Sequence, residues 1–116
     1  MIRRGMRTRR SLQRTVWLRH RSTSRTSEGA SVESWGEAQA LTATVWQASG
    51  RVQAEMYGER LTYIKMMEYE GNEAISVNDG ICVDVDGDTA PDYKVIAANE
   101  DHSPKVYTLE ARIEHH

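Results

Sequence analysis

The fold of this chain is decided by the stretch Lys105-Val106-Tyr107-Thr108-Leu109-Glu110-Ala111-Arg112-Ile113. Its apolar side chains at 107, 109, 111 and 113 alternate with polar ones at 108, 110 and 112. Because successive side chains of a strand point to opposite faces, this alternation is typical of a strand with one buried face. The stretch therefore predicts a β-strand at the edge of a hydrophobic core.

The same two-residue period recurs along the chain. It predicts further strands over residues 12–18, 41–46, 61–67, 80–85 and 92–98, whereas residues 48–60 form a short helix or an irregular loop. Asn78-Asp79-Gly80 and Asp86-Gly87 are hairpin signals, because Gly and Asn accept a positive φ at low cost. Short strands at such close spacing indicate an all-β fold, either an antiparallel barrel or a sandwich.

The charges of the chain are segregated. Residues 1–27 carry nine arginines and no acid, whereas residues 28–116 carry all seventeen acids and six basic side chains. A guanidinium group accepts phosphate or carboxylate as a partner, and opposite charges favour head-to-tail association between copies. The candidate residues for contact with a partner or with DNA are Arg3, Arg4, Arg7, Arg9, Arg10, Arg19, Arg21 and Arg25.

Residues 19–40 lack the strand period and are predicted to form a long loop after the first strand. Loops of this length in a small domain are usually functional or disordered. Trp35 lies in this segment and has two interpretations. It either folds back onto the body of the domain or serves as an anchor on a partner subunit.

No motif of the sequence indicates catalysis, a cofactor or a metal site. Asp84, Asp86 and Asp88 alternate as in a calcium loop, but Gly87 and Val95 stand at the wrong positions for one. The three carboxylates are therefore interpreted as a solvated hairpin tip. The single Cys82 lies in an apolar run, which predicts a buried thiol and a reducing compartment.

Residues 40–111 resemble the head-tail joining proteins of long-tailed double-stranded DNA phages, the head-closure or stopper components of the neck. The order of short segments carries this resemblance: Val45-Trp46-Gln47-Ala48, Gly50-Arg51, Leu61-Thr62-Tyr63-Ile64, Asn78-Asp79-Gly80-Ile81, Asp92-Tyr93-Lys94-Val95-Ile96, Asn99-Glu100-Asp101 and Lys105-Val106-Tyr107-Thr108-Leu109-Glu110. It implies a small antiparallel β-barrel of about six strands. We expect a basic N-terminal arm over residues 1–10, one barrel domain over 11–114, and a tag remnant at 115–116.

The resemblance also implies a structural virion protein that is not an enzyme. Such a protein forms a homo-oligomeric ring, a hexamer or a dodecamer, in the neck of the virion after assembly in the host cytoplasm. Adaptor or portal proteins bind on the head side and a tail terminator or tail tube protein on the tail side. Genomic double-stranded DNA fills the channel, no membrane is involved, and Asp84, Asp86 and Asp88 are candidates to face the channel.

Three alternatives remain open at this point. The first is an oligonucleotide-binding barrel that uses its basic arm. The second is a different neck or tail-completion ring protein, and the third is a calcium-binding β-domain. The shortage of basic residues on the predicted body strands disfavours nucleic-acid binding by the barrel. Salt dependence of nucleic-acid binding, and thermal melting with calcium or a chelator, discriminate between these alternatives.

Overall fold

The computed structural model describes residues 13–25, 27–29, 31–101 and 103–112. These residues form eight strands, one α-helix and one 3₁₀-helix. The elements in chain order are β1 (Gln13–Arg19), β2 (Arg21–Arg25), β3 (Ser31–Trp35), β4 (Gln39–Gln47), α1 (Arg51–Tyr57), the 3₁₀-helix (Gly58–Tyr63), β5 (Ile64–Tyr69), β6 (Gly80–Cys82), β7 (Tyr93–Asn99) and β8 (Lys105–Ala111).

Six of these strands close into a barrel. Their order around the barrel is β1-β4-β5-β8-β7-β6, and each neighbouring pair is antiparallel. Among the described residues, each barrel strand thus has a paired neighbour on both sides, which reduces the strand edge open to another chain. The prediction of a small antiparallel β-barrel of about six strands is confirmed.

The core follows the alternation on which the strand predictions depended. On β8, Tyr107 and Leu109 are fully buried, as the opening stretch predicts. Their neighbours in the barrel interior come from all five of the remaining barrel strands: Val16, Leu18, Leu41, Ala43, Met67, Tyr69, Ile81 and Val95. Cys82 is also buried and has a free thiol, as its apolar surroundings predict.

The segment after β1 differs from the expected loop. The connection between β1 and β4 is long and lies outside the barrel, but β2 and β3 pair along it as a separate two-stranded sheet. We call residues 21–35 the hairpin. Its first strand, Arg21-Ser22-Thr23-Ser24-Arg25, contains no apolar residue and is exposed throughout. A hydrophobic period cannot detect such a strand, because the backbone ladder alone defines it.

Two strand boundaries also differ from the prediction, for local reasons. Strand β5 begins only at Ile64, because Thr62 and Tyr63 belong to the 3₁₀-helix. Strand β6 ends at Cys82, because the carboxylate of Asp92 accepts the next two backbone N–H groups, at 2.8 and 2.9 Å. A side chain therefore takes the place of a neighbouring strand as the hydrogen-bond acceptor.

The two predicted turn signals act by different means. Asn78 has φ 83°, the left-handed conformation that its residue type favours. Gly87 is required by close packing, since a Cβ atom there would lie 2.9 Å from side-chain atoms of Trp17 and Ala38. The Asn78 turn leads into β6, which pairs with β1 and β7 and not with the preceding strand β5.

Candidate interaction surfaces

Arg19 fastens the base of the hairpin to the barrel. It ends β1, and its Nε donates to the carbonyl of Gly36 at 2.7 Å. Its Nη1 donates to the carbonyls of Thr89 at 2.7 Å and Gly87 at 3.3 Å, and its Nη2 to that of Trp35 at 3.4 Å. The guanidinium group of Arg19, a candidate for contact with a partner or DNA, thus binds backbone carbonyls of the hairpin base and of the segment that contains Gly87 and Thr89.

Trp35 packs back onto the barrel. Its half-buried ring lies under the guanidinium group of Arg112, with 5.0 Å between the guanidinium carbon and the ring centre. A Cβ atom at Gly80 would approach the ring to 3.0 Å and would also overlap Pro91. Of the two interpretations of Trp35, this geometry matches packing against its own domain.

Asp79 forms the second attachment of the hairpin. The residue is 6% exposed, and its carboxylate faces His20 Nδ1 at 2.9 Å. It also accepts the backbone N–H of Arg21 at 3.3 Å and that of Ser76 at 2.9 Å. This pair is not predictable from the sequence, because the two residues are 59 positions apart and the turn signal that contains Asp79 indicates no partner for its side chain.

One more of the candidate arginines, Arg21, is paired within the chain, as is the neighbouring Arg14, which was not a candidate; the other candidates differ in position. Arg14 donates to the carbonyl of Val83 at 2.5 Å and to the carboxylate of Asp84 at 3.3 Å. Arg21 forms an exposed ion pair with Glu33 across the hairpin, at 2.6 Å. Arg25 is exposed at the end of β2. The remaining candidates, Arg3, Arg4, Arg7, Arg9 and Arg10, lie outside the described residues, as does the pair at 115–116.

The three predicted acidic residues lie together on the loop that joins β6 to β7. Asp84, Asp86 and Asp88 are all exposed, as expected for a solvated tip. The backbone carbonyl of Asp86 accepts the hydroxyl and the N–H of Thr89, which turns the loop back. Since Arg19 binds Gly87 and Gly36, this acidic loop lies beside the base of the hairpin. Among the residues that the structure describes, no three metal-ligating side chains come together.

Helix α1 presents an apolar stripe to solvent. Val52 and Met56, one helical turn apart, are 69% and 65% exposed, and no residue of the helix is buried. Beside this stripe, Gln53 donates to the sulfur of Met66 at 3.3 Å and so holds the helix against β5. A helix of seven residues depends on such packing, because short helices are marginal in water.

An open groove lies at the end of the barrel where β1 begins. It has a volume of about 450 Å³ and is lined by Gln13, Ala40, Leu41, Thr42, Tyr69, Glu70, Gly71 and Glu73. The phenol oxygen of Tyr69 accepts the N–H of Glu73 at 3.1 Å, and any side chain at Gly71 would overlap the same ring. The turn that carries both glutamates is thus wrapped around Tyr69. We call this surface the Glu70 groove.

The shifted pKa values of the described residues have structural causes. Burial raises the pKa of the Cys82 thiol and of the Tyr93 hydroxyl. Burial, followed by the hydrogen bond to Glu100, raises the pKa of Tyr107 well above its usual range. The hydrogen bonds from Arg60 lower the pKa of Glu110. These groups are held in one protonation state near neutral pH, which suits packing and ion pairing.

The fold is that of a small closed β-barrel with a polar hairpin fastened to its side. The solution structure of protein SF1141 from Shigella flexneri 2a has a similar fold, with a TM-score of 0.59. The two chains share 17% sequence identity over 84% of this chain and 89% of that chain, which shows likeness of fold alone. No family model and no curated protein matches the sequence. No helix among the described residues is long and apolar enough to cross a membrane.

Proposed function

We propose that this protein is a head-tail joining protein of the phage neck, which forms a ring between the portal or adaptor complex and the tail. The observation that carries the proposal is the hairpin. It is polar and exposed along β2, yet Arg19, Asp79 and the Trp35–Arg112 contact fasten it to the barrel. A two-stranded sheet without an apolar face contributes little to its own stability. The hairpin is thus exposed and held in one orientation, which favours a role in contacts with other chains.

The arrangement of charges supports a ring of identical subunits. Arg25 is exposed at the far end of β2, whereas Asp86 and Asp88 are exposed beside the hairpin base. These two sites differ, so a contact between Arg25 of one copy and the acidic loop of the next is head-to-tail. Repetition of such a contact closes a ring when the rotation between subunits allows it. A hexamer or a dodecamer is the expected closure in a phage neck.

The remaining partners follow from the position of such a ring. Adaptor or portal proteins bind one side and a tail terminator or tail tube protein binds the other, and double-stranded DNA passes through the channel. In this proposal, Asp84, Asp86 and Asp88 lie at the channel or its rim, where the carboxylates that do not pair with Arg25 of the next copy repel the DNA backbone and let it slide. The arm at residues 1–10 docks on an acidic surface of a head-side neighbour. The finished assembly is part of the virion, and subunits assemble in the host cytoplasm.

The proposal is tested with the full-length protein and a purified portal–adaptor complex from the phage or prophage whose genome encodes it. Native mass spectrometry measures ring formation, and co-sedimentation measures docking. We expect deletion of residues 1–10 to abolish docking while circular dichroism still reports a folded barrel. A matched variant with lysine at positions 3, 4, 7, 9 and 10 keeps the charge and is expected to retain most of the docking.

Two results contradict the neck proposal. The first is unimpaired docking of the truncated protein. The second is tight binding of a single-stranded oligonucleotide by the full-length protein that weakens steeply with salt, which would favour the oligonucleotide-binding alternative. If the protein forms rings but docks only onto the tail side, a different tail-completion ring protein is indicated.

A further inference from the structure

The Glu70 groove lies beside the point where the basic N-terminal segment joins the barrel. Gln13, the first residue of β1, lines the groove together with Glu70 and Glu73. The twelve residues that precede Gln13 contain five arginines and no acid. The described chain therefore begins at the edge of a surface whose charge is opposite to that of the segment outside it.

The groove combines an apolar floor with an acidic rim. Leu41 and Tyr69 are 4% and 5% exposed and form the floor, whereas Glu70 and Glu73 are exposed above it. A neighbouring depression continues past Tyr69 and Glu70 to Ser103, Pro104 and Lys105. Lys105 is the basic side chain on this rim, and it lies on the far side of Tyr69 from Gln13. The residues that line the Glu70 groove next to Gln13 therefore include two carboxylates and no basic side chain.

We propose that the Glu70 groove binds the N-terminal segment of its own chain, with Arg9 and Arg10 paired to Glu70 and Glu73. An extended chain spans at most about 3.6 Å per residue, so Arg10 lies within roughly 11 Å of Gln13 and Arg9 within roughly 14 Å. These two arginines reach the rim without any distortion of β1. A guanidinium group offers the paired donors that a carboxylate accepts.

The occupant is the same chain and not a second copy, because of the short tether. A segment joined to its site by three or four residues experiences an effective concentration on the order of millimolar. Another copy competes only when the protein itself approaches that concentration. If the protein belongs to a phage neck, as proposed above, the groove holds the arm of the free subunit, and the arm leaves it on docking to a head-side neighbour.

The inference is tested by trypsin digestion of the full-length protein, with intact-mass measurement of the arm fragments. Wild-type protein at low salt is compared with the same protein at high salt and with a Glu70→Gln, Glu73→Gln variant. Loss of two exposed ion pairs is expected to speed cleavage after Arg9 and Arg10 by about fivefold. High salt is expected to have the same effect, because it screens exposed charges.

Three controls keep the test specific. A Glu55→Gln, Glu59→Gln variant changes the net charge equally at the opposite end of β5 and is expected to leave cleavage unchanged. Cleavage after Arg25, in the hairpin, is expected to be the same in all variants, which shows that the fold is intact. Protection of the arm is expected to be the same in dilute and hundredfold more concentrated protein.

Two results overturn the inference. If the arm is cleaved at one rate in the wild type, the groove variant and the control variant, the groove does not bind it. If protection increases with protein concentration, the occupant is the arm of another copy. The assay contains no portal, adaptor or nucleic acid, so its outcome does not depend on the proposed neck function.

Discussion

The guanidinium group of Arg112, directly after β8, covers the ring of Trp35 at the end of β3, with 5.0 Å from its carbon to the ring centre. Nη1 of the same guanidinium group donates to the carbonyl of Pro91 at 2.6 Å. The contact joins the hairpin to the last barrel strand and to the β6–β7 loop at one point. A cation over the face of an indole ring is attracted by its negative charge density. The orientation of the hairpin therefore depends on residues distant from it in sequence.

Removal of the Trp35 ring is expected to weaken the fold and release the hairpin. Because the ring is half-buried, Trp35→Ala is expected to lower the free energy of unfolding by about 2 kcal/mol, less than for a fully buried tryptophan. Urea denaturation followed by circular dichroism measures this change. Val32→Ala, in the same strand but more exposed, is the control and is expected to cost about 0.5 kcal/mol or less. Equal losses for the two variants would contradict the packing role of Trp35.

Substitution of Arg19 is expected to be costly even when the positive charge is kept. Arg19→Lys retains one ammonium group, which cannot reach the carbonyls of Gly36, Thr89 and Trp35 together. We expect a loss of about 2 kcal/mol in the free energy of unfolding, as is typical when hydrogen bonds to a charged group are lost. Arg21→Lys, at the exposed pair with Glu33, is expected to cost about 0.5 kcal/mol or less. An Arg19→Lys variant as stable as the wild type would show that these three hydrogen bonds contribute little.

Gly80 is predicted to be intolerant of a side chain. Gly80→Ala introduces a Cβ atom that overlaps Pro91 and crowds Trp35, so Pro91 or the tryptophan ring must shift. The expected cost is about 1 to 3 kcal/mol, as for other overpacked sites. Gly36→Ala, whose Cβ would meet its nearest neighbour at an ordinary 3.6 Å, is the matched control and is expected to be nearly neutral. Thermal denaturation of both variants checks the difference.

The ion pair between Arg60 and Glu110 is expected to stabilise the fold only while Glu110 is ionised. Arg60 lowers the pKa of Glu110 in the folded protein, so its contribution is present above the unfolded pKa, about 4.3. The contribution is lost as the pH falls through the lower pKa of the folded state. In Arg60→Gln, NMR titration is expected to show the Glu110 pKa returning towards its ordinary value. Arg51→Gln, on the exposed helix, is expected to leave that pKa unchanged.

Strand alternation predicts much of the barrel because the longer barrel strands bury one face more than the other, whereas the short β6 is buried throughout. Tyr107 and Leu109 on β8 and Leu41 and Ala43 on β4 are buried as their spacing requires. The hairpin escapes this reasoning, because β2 carries only polar side chains and its pairing is a property of the backbone. Thr62 and Tyr63 favour strands by residue type, yet the chain coils there to pass from α1 into β5.

The surfaces of the candidate site were less predictable than the barrel. Arg14, Arg19 and Arg21 belong to the basic part of the sequence, and charge alone groups them with the arm. Their partners at Asp84, Thr89 and Glu33 are brought close only by barrel closure and by the pairing of β2 with β3. A count of charges does not distinguish an arginine that is paired within the chain from one that is open to a partner.

The hairpin is fastened at its base and, through the ion pair of Glu33 with Arg112 at 3.7 Å, along β3, but not along the outer residues of β2. Substitutions at Ser22, Thr23 or Ser24 therefore leave folding almost untouched, since these exposed side chains contribute little to stability. If the hairpin contacts another chain, as proposed above, mutations there are selected by their effect on binding alone, while the barrel keeps its sequence constraints. A protein built in this way can follow a changing partner over evolutionary time without having to evolve a new fold.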